Sequence, residues 1–308
     1  MFGYLLKRLI SAALVLVAVS ILVFALLNVI PGDVAQTLAG DSASQEQIAA
    51  KRRELGLDRP LPVRYLEFAQ GVVHGDLGKS AISGRPVSTL LMERFGATVN
   101  LALAALALAV FFGLLAGTIA ALRAGGYVDL LVMMFTTLGE SLPSFWFSLL
   151  LIQFFALHLG WLPVLGAGTL AHLVLPAISL ALPAIALIAR MVRGCLLDVK
   201  NADFVRTAHA KGLSHFAVWR EHIFRNAILP VITMLGLYLG NLLGGAFIIE
   251  TIFAWPGLGR LVVQAIFDRD FPVVIGAVLL IALIYQVLNI LVDLAHAWFD
   301  PRVGTEAM

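Results

Sequence analysis

Apolar residues in this chain gather into six long runs, near 9–29, 99–122, 130–157, 173–192, 227–250 and 272–297. Each is long enough to cross the roughly 30 Å hydrocarbon core of a bilayer as a helix. The pattern therefore predicts an all-α integral membrane protein with six transmembrane helices. The first run follows Lys7 and Arg8, as a signal peptide would. Its stretch from Leu9 to Leu27 exceeds a usual signal core, and Val29-Ile30-Pro31-Gly32-Asp33 offers no small-x-small cleavage site, so a retained span is expected.

Between the runs, two polar segments are too long to be mere connectors. In 31–98, Ser44-Gln45-Glu46-Gln47 reads as a capping box opening a helix that Gly56 can end. After Asp58-Arg59-Pro60, the spacing of Val63, Leu66, Ala69, Val72 and Val73 suggests a second helix with one apolar face. A small helical cap is expected there. In 193–226, Asp203 can cap a short helix through Ala210, with Gly212 as its left-handed stop. Ser214 can cap another helix running through Trp219 toward Pro230. This segment carries Arg193, Lys200, Arg206, Lys211, Arg220 and Arg225 against Asp198, Asp203 and Glu221. A short glycine-ended helix slung between two spans suits docking into a groove of another protein, or lying on anionic lipid headgroups.

Basic residues set the orientation. The 158–171 loop holds no Lys or Arg and the 251–271 loop only Arg260 and Arg269, whereas the segments sharing a side with the N-terminus hold Lys7, Arg8, Arg123, Arg190, Arg193 and the basic residues just named. The positive-inside rule then places both termini in the cytoplasm and the 31–98 cap outside. Composition agrees with a bilayer environment: the chain is 60% hydrophobic and only 13% charged, where soluble domains carry about 25% charged residues. An ordinary soluble enzyme, a disordered regulator and a disulfide scaffold are excluded on these grounds. The single cysteine, Cys195, signals neither a disulfide nor a zinc site and is expected to pack between helices.

Few motifs carry chemistry. Gly75-Asp76-Leu77-Gly78-Lys79-Ser80 looks like part of a phosphate loop, but Val73 stands where the first glycine is required, and a turn is the better reading. His209, His215 and His222 are spaced by six and seven, which does not suit adjacent ligands on one helix, so no metal site and no catalytic residue is assigned. Intramembrane carboxylates take a functional default. Glu140, three residues before Pro143, is the candidate to line a pathway, while Glu250 and Asp293 lie near interfaces, where a hydrated structural role is expected. Gly113 and Gly117 in the second run suggest static close packing. Gly236, Gly240 and Gly244, with Asn241 among them, suggest a movable helix seam in the fifth.

The inner segment Asp203-Phe204-Val205-Arg206-Thr207-Ala208-His209-Ala210-Lys211-Gly212-Leu213 resembles the EAA loop of permease subunits of ATP-binding-cassette importers, with Arg206-Thr207-Ala208 where Glu-Ala-Ala would stand. The loop then departs from the general pattern: His222-Ile223-Phe224-Arg225 occupies the place of Ile-x-Leu-Pro, in the manner of the dipeptide, oligopeptide and nickel branch. Ile30-Pro31-Gly32-Asp33, Leu55-Gly56-Leu57-Asp58-Arg59-Pro60-Leu61-Pro62, Gly75-Asp76-Leu77-Gly78, Gly84-Arg85-Pro86-Val87, Glu250 through Arg260 and Asp300-Pro301-Arg302 are similar to the first permease of such a pair.

The resemblance implies a type I importer permease fold: an N-terminal helix and external cap in 1–94, a permease domain in 95–298 with its coupling loop near 198–226, and a cytoplasmic tail in 299–308. It implies an inner-membrane location and a complex with a homologous second permease, two cytoplasmic ATPase subunits and an external solute-binding protein, with no nucleic acid. Asp203, Arg206, Thr207, Ala208, Lys211 and Gly212 would couple to the ATPase. No cofactor would be bound by this chain, ATP and magnesium residing on the ATPases. Di- or oligopeptides are the expected substrates, with nickel, a metal chelate or glutathione as alternatives within the family. A stand-alone secondary transporter or channel should show inverted repeats or a paired-charge ion site, and a scaffold without transport fits Glu140 and the glycine-rich fifth run less well.

Overall fold

A computed structural model describes residues 2–29, 43–54, 56 and 58–299. The family-like residues Ile30 to Asp33, Leu55, Leu57 and 300–302 lie outside the described residues, as does the side chain of Asp293. Among the described residues the chain is helical, its only strand-like pairing being an isolated bridge between Lys79 and Pro86. The helices are α1 (Phe2–Val29), α2 (Gln45–Glu54), α3 (Leu61–Val73), α4 (Val87–Leu122), α5 (Tyr127–Ser141), α6 (Ser144–Leu151), α7 (Leu170–Lys200), α8 (Asp203–Ala210), α9 (Arg225–Ile252), α10 (Leu258–Phe267) and α11 (Phe271–Phe299).

Among the described residues, five stretches are long and apolar enough to cross a membrane: Leu6–Ala25, Val87–Leu122, Leu170–Lys200, His215–Leu242 and Phe271–Val292. The third expected run, 130–157, differs from a straight span. It is split into α5 and a second piece, α6 with the π-helical turns Ile152–His158, bent from each other by 103°. Pro143 explains the break, because it lacks an N–H and disfavours helical geometry in the residue before it; Leu142 is accordingly extended (φ −77°, ψ 125°) and Pro143 becomes the N-cap of α6.

The fifth run also differs. Instead of a loop helix stopping toward Pro230 and a separate span, helix continues from His215 through π-helical Val218–Phe224 into α9, with Pro230 inside it. One turn before Pro230, the Asn226 side-chain amide donates to the His222 carbonyl at 2.5 Å.

The chain forms two compact units. One comprises Met1–Ala97 and Pro256–Val287. In it the capping box forms as read: Gln47 N–H donates to Ser44 Oγ (3.3 Å) and Ser44 N–H to Gln47 Oε1 (2.9 Å), while Gly56 adopts φ +65° after α2. Helix α3 also forms, and the expected stripe divides: Ala69 and Val72 are half-buried. Val63, Leu66 and Val73 are exposed, and Tyr65 and Phe68 instead pack against Phe24 of α1, with Tyr65 Oη 2.9 Å from Ser20 Oγ. Two aromatic rings bury more apolar area than the aliphatic stripe would.

The Gly75–Ser80 string is a turn: Gly78 N–H donates to the Asp76 carboxylate at 2.8 Å, and both glycines have positive φ. Ser80 Oγ donates to the buried Asp270 carboxylate at 2.5 Å, which also receives Ala81 N–H. Val87, Leu91, Leu258, Val262, Val273 and Ala277 form this unit's core.

The other unit comprises Thr98–Trp255 and Leu288–Met308. Its centre is α7, which buries Leu175, Ala181, Ala184, Ile188, Ala189 and Val192 and packs against α5, α6 and α9. Small residues decide how close its neighbours come. A Cβ on Gly113 would lie 2.6 Å from Ile188, and one on Gly117 would lie 2.5 Å from the Ala189 carbonyl, so α4 and α7 touch backbone to backbone. Gly139 of α5 instead leaves room for the Leu182 side chain, which a Cβ there would meet at 3.2 Å.

Candidate functional site

Helix α8 has a large polar–apolar asymmetry for its length. Val205 and Ala208 are buried, whereas Phe204, Arg206, Thr207 and Lys211 are exposed. Asp203 does not cap the helix as expected. Ala202 is the N-cap without a side-chain bond, and Asp203 instead contributes an acidic first turn and faces Arg206 at 3.6 Å. An acid there still complements the positive end of the helix dipole. The stop is as read: Gly212 has φ +81°, its N–H donates to the His209 carbonyl (2.9 Å), and Leu213 N–H reaches the Ala208 carbonyl (3.4 Å), the two bonds of a Schellman motif. Ser214 then caps the next helix, accepting Ala217 N–H at 3.3 Å.

The turn is stapled by a pair that sequence spacing concealed. His209 Nε2 lies 3.1 Å from His215 Nδ1, with ring centroids 4.9 Å apart. His209 Nδ1 lies 3.0 Å from the Val205 carbonyl, which can only accept, so that nitrogen carries the proton and Nε2 is left to accept from His215. A cavity of about 360 Å³ lies beside the staple, lined among others by Leu196, Lys200, Arg206, His209, His215 and Trp219. Among the described residues no group of three or more His, Cys, Asp or Glu has the geometry of a metal site.

Among the described residues, the carboxylates Asp129, Glu140 and Glu250 each contact a side chain of another helix. Arg193 donates from Nε and Nη2 to the Asp129 carboxylate at 2.5 and 2.7 Å, and Gly125 N–H adds a third bond at 2.9 Å. Glu140 pairs with Arg190 through Oε2 and Nη2. Glu250, expected to be hydrated, is instead fully buried and accepts from Thr98 Oγ1 at 2.6 Å. A carboxylate in that position requires internal partners, which the hydroxyl supplies.

The glycine row of α9 is not one seam. A Cβ on Gly236 would strike Val292 at 2.3 Å, and Gly240 is buried, but Gly244 has open space and Asn241 is exposed. Of the sequence candidates, the structure thus gathers Asp203 through Gly212 on one helix and its turn, and puts Glu140 on another element. Arg190, Asp129 and Thr98 were not legible as partners. Arg190 entered the sequence reading only as part of the charge bias, and nothing in spacing ties it to Glu140, fifty residues earlier.

Comparison with known proteins follows this geometry. Residues 113–305 match the family model described as binding-protein-dependent transport system inner membrane component, and residues 1–102 match the N-terminal model of the same systems. The probable peptide ABC transporter permease protein y4tP of Sinorhizobium fredii is 42% identical over 97% of this chain and 98% of its own length. The glutathione transport system permease protein GsiC of Escherichia coli K12 is 41% identical over 98% of this chain and 99% of its own. Among solved structures, an amino acid ABC transporter has a TM-score of 0.53 at 20% identity, covering 70% of this chain and 94% of that one. The MetNI methionine ABC transporter has a TM-score of 0.56 at 20% identity, covering 66% and 93%. Matched along nearly its whole length, and with five membrane-length helices and one broken one among the described residues, the chain belongs to the inner-membrane permease components of binding-protein-dependent ABC transport systems.

Proposed function

We propose that this chain is one permease of a pair in an ATP-driven importer of di- and oligopeptides, with both termini in the cytoplasm. A homologous permease forms the other half of the pathway, two cytoplasmic ATPase subunits bind ATP and magnesium, and an external solute-binding protein delivers the substrate. This chain binds no cofactor and hydrolyses nothing. Its work is mechanical: α8 sits in an ATPase groove and passes the motion of nucleotide-driven closure to α7 and α9.

The observation that carries the coupling role is the build of α8. One face is fixed by Val205 and Ala208, a Schellman turn and a histidine staple hold its end, and Phe204, Thr207 and Lys211 remain open to a partner. A helix anchored at base and end transmits displacement instead of absorbing it. In the segment read as the external cap, the exposed Val63, Leu66 and Val73 of α3 are available to the binding protein or to lipid. The peptide assignment is supported by the relatives that are permeases for peptides and for glutathione, itself a tripeptide. Glutathione is accordingly the leading alternative cargo.

Reconstitution tests the reading. The four-subunit complex in proteoliposomes should hydrolyse ATP and accumulate tri-alanine or glutathione only when the binding protein is present on the receiving side. Uptake by this chain alone, without ATPases, would assign it to a stand-alone transporter instead.

A further inference from the structure

Two ion pairs join α5 to α7, and they are built differently. Asp129 and Arg193 form a two-pronged contact in which the carboxylate is 6% exposed and takes a third bond from Gly125. Glu140 and Arg190 meet through one contact, and their side chains remain 45% and 30% exposed. The first pair is a clamp. The second keeps unused donors on the guanidinium and an unused carboxylate oxygen.

The depth of the second pair makes its exposure informative. Arg190 lies ten residues before the end of α7, about 15 Å along the helix, and Glu140 lies thirteen residues after the start of α5, about 20 Å. Glu140 lies within the apolar run 130–157 and Arg190 two residues before the end of the run 173–192, so the pair sits inside apolar stretches, close to where α7 leaves one. Charges at that depth face protein or water, not acyl chains, so the surface exposing this pair looks onto a wet or protein-covered space.

Neighbouring polar groups extend the surface. Ser141 is exposed next to Glu140, Tyr238 of α9 lies within electrostatic reach of Glu140, and Asn241 is exposed three residues further on, with Gly244 open beyond it. Tyr238, Asn241 and Gly244 are spaced to share one helix face.

We infer that the Glu140–Arg190 pair is a transit subsite for a ligand carrying both a free carboxylate and a free ammonium group: the Arg190 guanidinium donates to the carboxylate, Glu140 accepts from the ammonium, and the pair re-forms once the ligand has passed. This rests on the peptide-importer reading and deepens it, naming the charged chain ends as what is read inside the membrane. An ion pair with water access is weak, so opening it costs little, and exchanging it for two similar pairs does not trap the ligand. A clamp such as Asp129–Arg193, whose carboxylate is buried and accepts three bonds, could not serve this way.

The test uses the whole complex in proteoliposomes with its binding protein, tri-alanine as probe, and uptake per ATP hydrolysed as the readout. R190Q and E140Q should each lower that ratio about ten-fold, the worth of one charge-assisted hydrogen bond, while ATPase stimulation by the loaded binding protein persists. The exchange E140R/R190E keeps an ion pair between α5 and α7, so it inserts even if R190Q does not. A subsite of fixed polarity keeps its uptake ratio low, whereas a purely structural pair recovers it. A wild-type ratio in R190Q, or in the exchanged variant, overturns the subsite. Failure of the unmodified complex to take up tri-alanine or glutathione, with an ATPase that responds to another delivered solute, overturns the peptide reading and the subsite together; uptake by wild type with unaffected variants overturns the subsite alone.

Discussion

Arg193 grips Asp129 with two donors of one guanidinium, at 2.5 and 2.7 Å, sixty-four residues away in sequence. The contact joins the first turn of α5 to the last third of α7, seven residues before α7 ends and the chain enters α8. It therefore fixes the base from which the short helix hangs. Asp129 is buried and Arg193 half-buried, and removing one partner leaves the other charge unmatched.

Asp129→Asn should accordingly lower the stability of the solubilised complex by about 3 kcal/mol, the scale for breaking rather than replacing a buried pair. The paired substitution Asp129→Asn with Arg193→Gln should recover part of the loss. Thermal unfolding of the three variants against wild type measures this, and equal midpoints throughout would show that the clamp contributes nothing.

Glycines in the spanning helices should divide by environment. Gly117→Ala places a methyl 2.5 Å from a backbone carbonyl that cannot rotate away, so α4 and α7 must separate; a cost of about 1–3 kcal/mol is expected. Gly244→Ala meets open space and should be neutral or slightly stabilising. Thermal stability of the two single variants in detergent distinguishes them, and the opposite ranking would contradict the packing described for α4.

Orientation is tested by labelling. With Cys195 replaced by serine, a cysteine at position 50 in α2 should react with an impermeant maleimide added outside intact spheroplasts, and one at position 212 should react only after lysis. The reverse pattern would invert the topology.

Hydrophobic pattern and turn chemistry made much of this fold legible. The capping box at Ser44, the left-handed stops at Gly56 and Gly212 and the cap at Ser214 all depend on neighbours within a few residues, and each forms as read. What stayed hidden depends on distant partners. Part of the apolar stripe of α3 lost to an aromatic cluster because Phe24 lies on another helix. Glu250 was assigned to an interface because Thr98, which satisfies it, is 152 residues earlier. His209 and His215 looked mismatched because helical spacing was applied across a turn that Gly212 folds back. Pro143 and Pro230 look alike in sequence, yet one breaks a span and the other is absorbed within a helix, as Pro176 and Pro183 are in α7.

The central claim, that α8 delivers the energy of ATP hydrolysis to the spans, is tested most directly by Gly212→Val. Its φ of +81° is a conformation a β-branched residue adopts only with strain, on the order of 1–2 kcal/mol, and the turn that orients α8 would have to rearrange. In proteoliposomes containing the whole complex and its binding protein, the account predicts that the variant inserts and assembles, hydrolyses ATP, and loses most uptake per ATP. Uptake per ATP equal to wild type would contradict it.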